Sequence, residues 1–168
     1  MEKVDALLND GEYKETVKKL ERLEQNRKFC RHHMVHFLDV ARIAYILSLE
    51  NKTGLSKELI YAAALIHDIG RVKEYTEGIS HAKAGAKIGR RLLLRAGFSE
   101  NEAELAAKAI LGHSGREKAR SEAAASGPEQ QLAEILYRAD KLSRACFCCE
   151  AREECYWAEE KKNMTVYY

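Results

Sequence analysis

Apolar residues recur at helical spacing along almost the whole of this 168-residue chain, and no stretch shows the period-two alternation of a half-buried strand. Between Cys30 and Leu49, for example, His36, Val40, Ile43, Ala44 and Leu47 mark one face of a helix. Only one proline interrupts the pattern. The expected fold is therefore all-α, a single bundle of about six to eight helices. A chain of this length buries a core without disulfides or a structural metal, so residues 1–168 are expected to form one domain. Its core spans about residues 30–145, with an N-terminal helix and a C-terminal helix and tail packed on it.

Local signals place the elements. Residues 11–28 are charged, with Val17, Leu20 and Leu23 as a thin apolar stripe. A second helix is predicted from Cys30 to Leu49. Ser56 is a natural N-cap for the next helix, which runs to His67-Asp68. The stretch from Gly70 to Ser80 holds two glycines and is predicted to be a loop. A basic helix follows from Ala82 to Ala96, then one that starts at Ser99-Glu100-Asn101-Glu102 and closes at Gly112. Ser114 to Gln130 is expected to be a loop with a short helical piece over Glu122–Ala125. The last core helix carries Asp140, and Met164–Tyr168 is an extended or frayed end.

A formal net charge of +2 is too small to argue for nucleic acid. No apolar run approaches membrane-spanning length, and Met1-Glu2-Lys3-Val4-Asp5 lacks the apolar stretch of a secretory signal. The default expectation is a soluble cytoplasmic protein. Five cysteines, four of them near the C-terminus, do not form a secreted disulfide framework.

His67 and Asp68 close the apolar run Tyr61-Ala62-Ala63-Ala64-Leu65-Ile66. Neighbours on a helix point about 100° apart, but where the helix ends, at Gly70, the two side chains can converge. An imidazole with a carboxylate suits a divalent transition metal; alone, the pair reads equally well as a buried His bonded to a capping Asp. His36, His81, His113 and Asp140 likewise interrupt or flank apolar helical patterns.

The order His36, His67-Asp68-Ile69-Gly70-Arg71 and Ala139-Asp140-Lys141 resembles the HD superfamily of metal-dependent phosphohydrolases over roughly residues 30–145. The resemblance implies one metal site held by His36, His67, Asp68 and Asp140. Two imidazoles and two carboxylates accept Fe, Mn, Co, Ni or Zn without distinguishing them. The implied activity is hydrolysis of a phosphate ester or anhydride of a nucleotide or dinucleotide, with hydroxide generated at the metal as attacking group. Asp68 is the residue expected to hold the metal and orient the nucleophile.

Some members of the superfamily bind two ions through two further histidines. His81, in a His-x-x-x-Gly segment ending at Gly85, and His113, closing Ala109-Ile110-Leu111-Gly112, resemble that pair, with Asp68 as the bridge. Helix capping by His81, or phosphate contact by either His, is the alternative. The chain lacks the Gly-Tyr-Pro signature of the HD-GYP phosphodiesterases, and Arg71 replaces their Lys. Ser114 stands where several dinuclear enzymes carry another His, so no trinuclear arrangement is expected. The short Asp68–His81 spacing is more similar to the diadenosine tetraphosphate hydrolases.

Arg71, Lys141 and Arg144 are expected to hold substrate phosphates, against a plain reading as surface salt bridges. Lys83, Lys87, Arg90, Arg91 and Arg95 are read as solvated charges. His32 is expected to be buried or to support the site, and His33 to be exposed. Cys146-x-x-Cys149 has a metal-ligand spacing to which Cys155 or Cys30 could contribute, but Cys146, Cys148, Cys149 and Cys155 are read on one continuing helix, as small core residues rather than a zinc or iron–sulfur site. The expected partner is a small phosphorylated compound, with no membrane, no nucleic acid, and a homodimer possible through the N-terminal helix and aromatic tail. A non-catalytic HD module that binds a metal or nucleotide is the alternative function; a Cys-rich redox or metal-responsive protein is a third.

Overall fold

The structure is a computed structural model that describes residues 1–112 and 127–168. His113 and the segment Ser114–Ser126, including the helical piece expected at Glu122–Ala125, lie outside the described residues. Among the described residues there are eight α-helices and no strand: α1 (Glu2–Asn9), α2 (Gly11–Leu23), α3 (Met34–Glu50), α4 (Lys57–Ile66), α5 (Arg71–Glu77), α6 (His81–Arg95), α7 (Glu100–Gly112) and α8 (Pro128–Leu142). The all-α bundle expected from the sequence is the fold found.

Helix α4 is the axis of the bundle. Leu59, Ile60 and every residue from Ala62 to Ile66 are buried, as a run that is apolar all round demands. It packs against α1, α3, α6, α7 and α8, and its alanines let those neighbours approach closely. Ser56 caps it as expected, its hydroxyl accepting the Leu59 N–H at 3.2 Å. Ser99 and Glu102 form the reciprocal cap of α7.

Several boundaries differ from the sequence reading. The N-terminal region is two helices: Asp10 ends α1 in an extended conformation and caps α2 by accepting the Tyr13 N–H. Helix α2 stops at Leu23, which is exposed, so the apolar stripe is Tyr13, Val17 and Leu20. Helix α3 starts at Met34 rather than Cys30, because His33 adopts an extended conformation and caps it, its Nδ1 accepting the His36 N–H. His33 is exposed and His32 buried.

The predicted loop 70–80 is mostly helix α5. Gly70 has ordinary helical angles and does not break the chain; only Gly78, at φ +68°, ends the helix in the left-handed region. Pro128–Gln130, assigned to a loop, are the first turn of α8, with Pro128 at the position where its missing N–H costs nothing. After Leu142 the chain does not continue as the helix expected to carry the cysteines. It makes short 3₁₀ turns at Cys146–Cys148, Arg152–Glu154 and Glu159–Lys161. The basic face of α6 is not merely solvated: Arg90 pairs with Glu100 and Glu104, and Arg91 and Arg95 with Glu12.

Candidate metal centre

At the C-terminal end of α4 the hydrogen bonding tightens. Ile69 N–H bonds to the Ile66 carbonyl and Arg71 N–H to the Asp68 carbonyl, both three residues back. This tighter turn brings His67 and Asp68 to one point, although neighbours on an α-helix diverge. His67 lies in the same turn as Ala64 and donates from Nδ1 to its carbonyl oxygen at 2.7 Å. That bond orients the ring and directs Nε2 toward Asp68 and Asp140. The distances are 3.4 Å to Asp68 Oδ2 and 4.0 Å to Asp140 Oδ1.

His36 arrives from α3 and Asp140 from the last turn of α8. The Ser143 hydroxyl donates to the Asp140 carbonyl at 2.8 Å, which uses its one hydrogen. His36 Nδ1, 3.2 Å from that same oxygen, must then be the donor. Its Nε2 is therefore a lone pair, buried and without a hydrogen bond, 3.4 Å from Asp140 Oδ1. Two acceptors facing each other in the interior are costly unless a cation joins them.

Donor atoms of His36, His67, Asp68 and Asp140 all lie within 4.8 Å of one another, and all four residues are buried. Two imidazole nitrogens and two carboxylate oxygens in this arrangement fit a divalent transition metal. The electrostatics agree. Burial lowers the His36 imidazole to about 4, keeping it neutral as a ligand must be. Burial also penalises a charged His67, but Asp68 and Asp140 outweigh this and raise it. Asp140 is held well below the usual carboxylate range despite its burial, by the Arg144 and Lys141 cations that contact it.

The two oxygens of Asp68 face different neighbours. Oδ2 lies near His67 and 3.2 Å from His32 Nε2. Oδ1 is 3.0 Å from Arg71 Nε and 3.7 Å from His81 Nε2. His81 opens α6, and its Nδ1 stands 3.0 Å from Glu74 Oε1. Lys141 Nζ and Arg144 Nη2 each contact Asp140 at 2.6 Å. The three cations expected to hold phosphate thus rest on the two carboxylates of the quartet in this structure.

A supporting arrangement was not visible from the sequence. Glu24, just past α2, is buried and accepts the His32 N–H at 2.6 Å, the Tyr75 hydroxyl at 2.6 Å, and faces His32 Nδ1 at 2.7 Å. Burial alone would raise its carboxyl, but these donors bring it to about 2. His32 then links Glu24 to Asp68, the carboxylate–histidine pattern that orients metal ligands. A signal for Glu24 did exist. It continues the apolar stripe of Tyr13, Val17 and Leu20, where a carboxylate is out of place unless partnered.

Comparison with known proteins agrees with the fold. The HD domain family matches residues 34–145, and the chain belongs to that family. It is 40% identical over 168 residues to an uncharacterized protein of Clostridium beijerinckii, covering all of both chains. It is 31% identical over 133 residues to a ribonuclease Y of a Sulfurovum species, covering 79% of this chain but 22% of that protein. A solved structure of a predicted HD superfamily hydrolase from an uncultured Thermotogales bacterium shares the fold. Its TM-score is 0.59 at 24% identity, covering 90% of this chain and 81% of the other. Among the described residues no helix is long and apolar enough to cross a membrane.

Proposed function

We propose that this HD protein is a metal-dependent phosphohydrolase that cleaves a phosphate ester or anhydride of a nucleotide or dinucleotide. The observation that carries the reading is the buried quartet of His36, His67, Asp68 and Asp140, whose donor atoms converge within 4.8 Å. In this reading those four residues hold one divalent ion. Such an ion makes hydroxide available near neutral pH and polarises a phosphoryl oxygen. Asp68 orients the attacking water through its carboxylate. Before a metal enters, Arg71, Lys141 and Arg144 balance the charges of Asp68 and Asp140. With a cation held by the carboxylates, these three side chains would be available to bind phosphate oxygens, for which guanidinium groups are well shaped.

The closeness of His81 to Asp68 Oδ1 supports a second ion on that side, bridged by Asp68. The metal content of His81→Ala relative to wild type tests this: loss of one ion supports the dinuclear form, and an unchanged content refutes it. The likeness to ribonuclease Y supports a second substrate reading, RNA phosphodiesters. The near-neutral charge and the acid-paired face of α6 favour a small substrate. The test is phosphate or nucleotide release from phosphate monoesters, nucleoside polyphosphates, dinucleotides and RNA by protein loaded separately with each metal. Turnover that disappears in His67→Ala and Asp68→Ala is expected. No turnover on any substrate would leave the non-catalytic module.

A further inference from the structure

After α8 the chain is ordered without a core of its own. From Ala145 to Tyr168 only Ala151 is buried, and the three 3₁₀ turns contain no buried residue. Yet this segment supports the metal centre. Asn163 Nδ2 donates to the carbonyls of Lys141 and Arg144, at 2.6 and 2.9 Å, and Trp157 stacks against the Lys141 ammonium. Short irregular segments with so little apolar burial need a staple, either a disulfide or a metal.

The cysteines supply the means. Cys30, from the linker between α2 and α3, and Cys146, Cys149 and Cys155, from the first two 3₁₀ turns and just beyond, all line one cavity of about 220 Å³, whose other end reaches His36 and Arg144 of the His/Asp centre. All four are free thiols. The fifth, Cys148, falls out of the Cys-x-x-Cys register and does not line the cavity; it is exposed, as is Cys149. The fold therefore selects four cysteines of five, one of them brought from 116 residues away in sequence. Burial raises the Cys146 thiol, and the proximity of Cys30, Cys149 and Cys155 adds to the shift. Arg31, Arg144, Arg152 and Lys162 line the same cavity. Four thiolates around a divalent zinc ion leave two negative charges, which such cations neutralise.

We propose that Cys30, Cys146, Cys149 and Cys155 form a tetrathiolate site, built from other residues than the neighbouring His/Asp centre, that holds a zinc ion or an iron–sulfur cluster and fixes the C-terminal segment against α8. The chemistry common to both occupants is ligation by four thiolates, whose protons leave to solvent on binding. A zinc tetrahedron with bonds of about 2.3 Å sets its sulfurs about 3.8 Å apart. Among the described residues the thiols are not gathered as tightly as the His/Asp donors.

The test is metal analysis of the full chain, purified without oxygen or chelating resin, as wild type and as His67→Ala/Asp68→Ala to remove the other centre. The expected result is metal retained by the double variant, lost in Cys149→Ser and kept in Cys148→Ser. Zinc without sulfide identifies the ion; iron with matching acid-labile sulfide and visible charge-transfer absorption identifies the cluster. X-ray absorption on wild type guards against variants that fail to fold: it should show a sulfur shell at about 2.3 Å from zinc or iron. A shell of nitrogen and oxygen alone, a disulfide among the four cysteines, or ready reaction of all five thiols in the native protein would overturn the proposal.

Discussion

Replacing Gly70 by alanine probes how tightly the metal turn is built into the bundle. A Cβ on Gly70 would stand 2.1 Å from the His81 carbonyl oxygen, 2.4 Å from Gly85 N and 2.9 Å from Gly85 Cα. All three atoms are backbone of α6, so no rotamer change relieves the clash. Ordinary contact distances require α6 to withdraw by about 1 Å or more. Over-packing of this kind costs about 1–3 kcal/mol and occasionally more, against a helix-propensity gain for alanine of about 0.5–1 kcal/mol. We expect a net loss of about 3 kcal/mol, because the obstruction is backbone on two successive turns. For a chain of this length that lowers the Tm by roughly 6–12 °C. Gly89 gives the control: its Cβ would meet Ile66 Cδ1 at 2.7 Å, a side-chain end that can move, so Gly89→Ala should cost about 1 kcal/mol. Gly11 has nothing within 4 Å, and Gly11→Ala should be neutral or slightly stabilising. Urea and thermal unfolding of the three variants give the ranking. A Gly70→Ala protein as stable as wild type, or more stable than Gly89→Ala, would refute the steric argument. Since α6 carries His81, the same substitution should also change metal content if His81 is a ligand.

Three other perturbations follow from the geometry. Tyr13→Phe leaves the buried Leu65 carbonyl without the hydroxyl that bonds it at 3.1 Å, so a loss of about 1–3 kcal/mol is expected in urea unfolding; unchanged stability would show that water replaces the phenol. Glu24 is depressed from 4.5 to about 2 in the folded state, so its contribution is present above pH 4.5 and is lost as pH falls toward 2. From that shift the contribution is roughly 3 kcal/mol. The stability gap between wild type and Glu24→Gln should therefore narrow across that window, and a gap independent of pH would contradict the assignment. Saturating manganese, iron, cobalt, nickel or zinc at about 100 times the Kd should stabilise wild type by about 2.7 kcal/mol through binding to the folded state. The Asp68→Asn protein should respond far less, and an equal response would place the ion elsewhere.

The parts of the chain that were legible in sequence are those where one local rule decides the outcome. The all-round apolar run of α4, the serine caps at Ser56 and Ser99, and the convergence of His67 with Asp68 are of this kind. His36 and Asp140 come together with that pair because each interrupts an apolar face that must pack inward. What escaped depended on tertiary context. Gly70 looks like a helix breaker, and the sequence predicts a loop where α5 forms, but it is glycine because another helix passes within touching distance. Glu24 falls on the buried stripe of Tyr13, Val17 and Leu20, but its partners His32 and Tyr75 are supplied only by the fold. The helix expected through Cys146–Cys155 gives way to turns anchored by Asn163, a residue with no local signal at all.

The hydrogen bonds that cross the edges of the recognised HD segment have a practical consequence. Residues 34–145 contain His36, His67, Asp68 and Asp140. They omit Tyr13, which holds the Leu65 carbonyl, Glu24 and His32, which steady Asp68, and Asn163, which secures the end of α8. A fragment trimmed to the recognised stretch would keep the four His and Asp ligands but lose the struts that aim them and all four cysteines of the proposed thiolate site. The smallest portable piece of this protein, for grafting into a chimaera or for minimising a catalyst, is therefore larger than its family signature, and reaches from the first helices to the last turn.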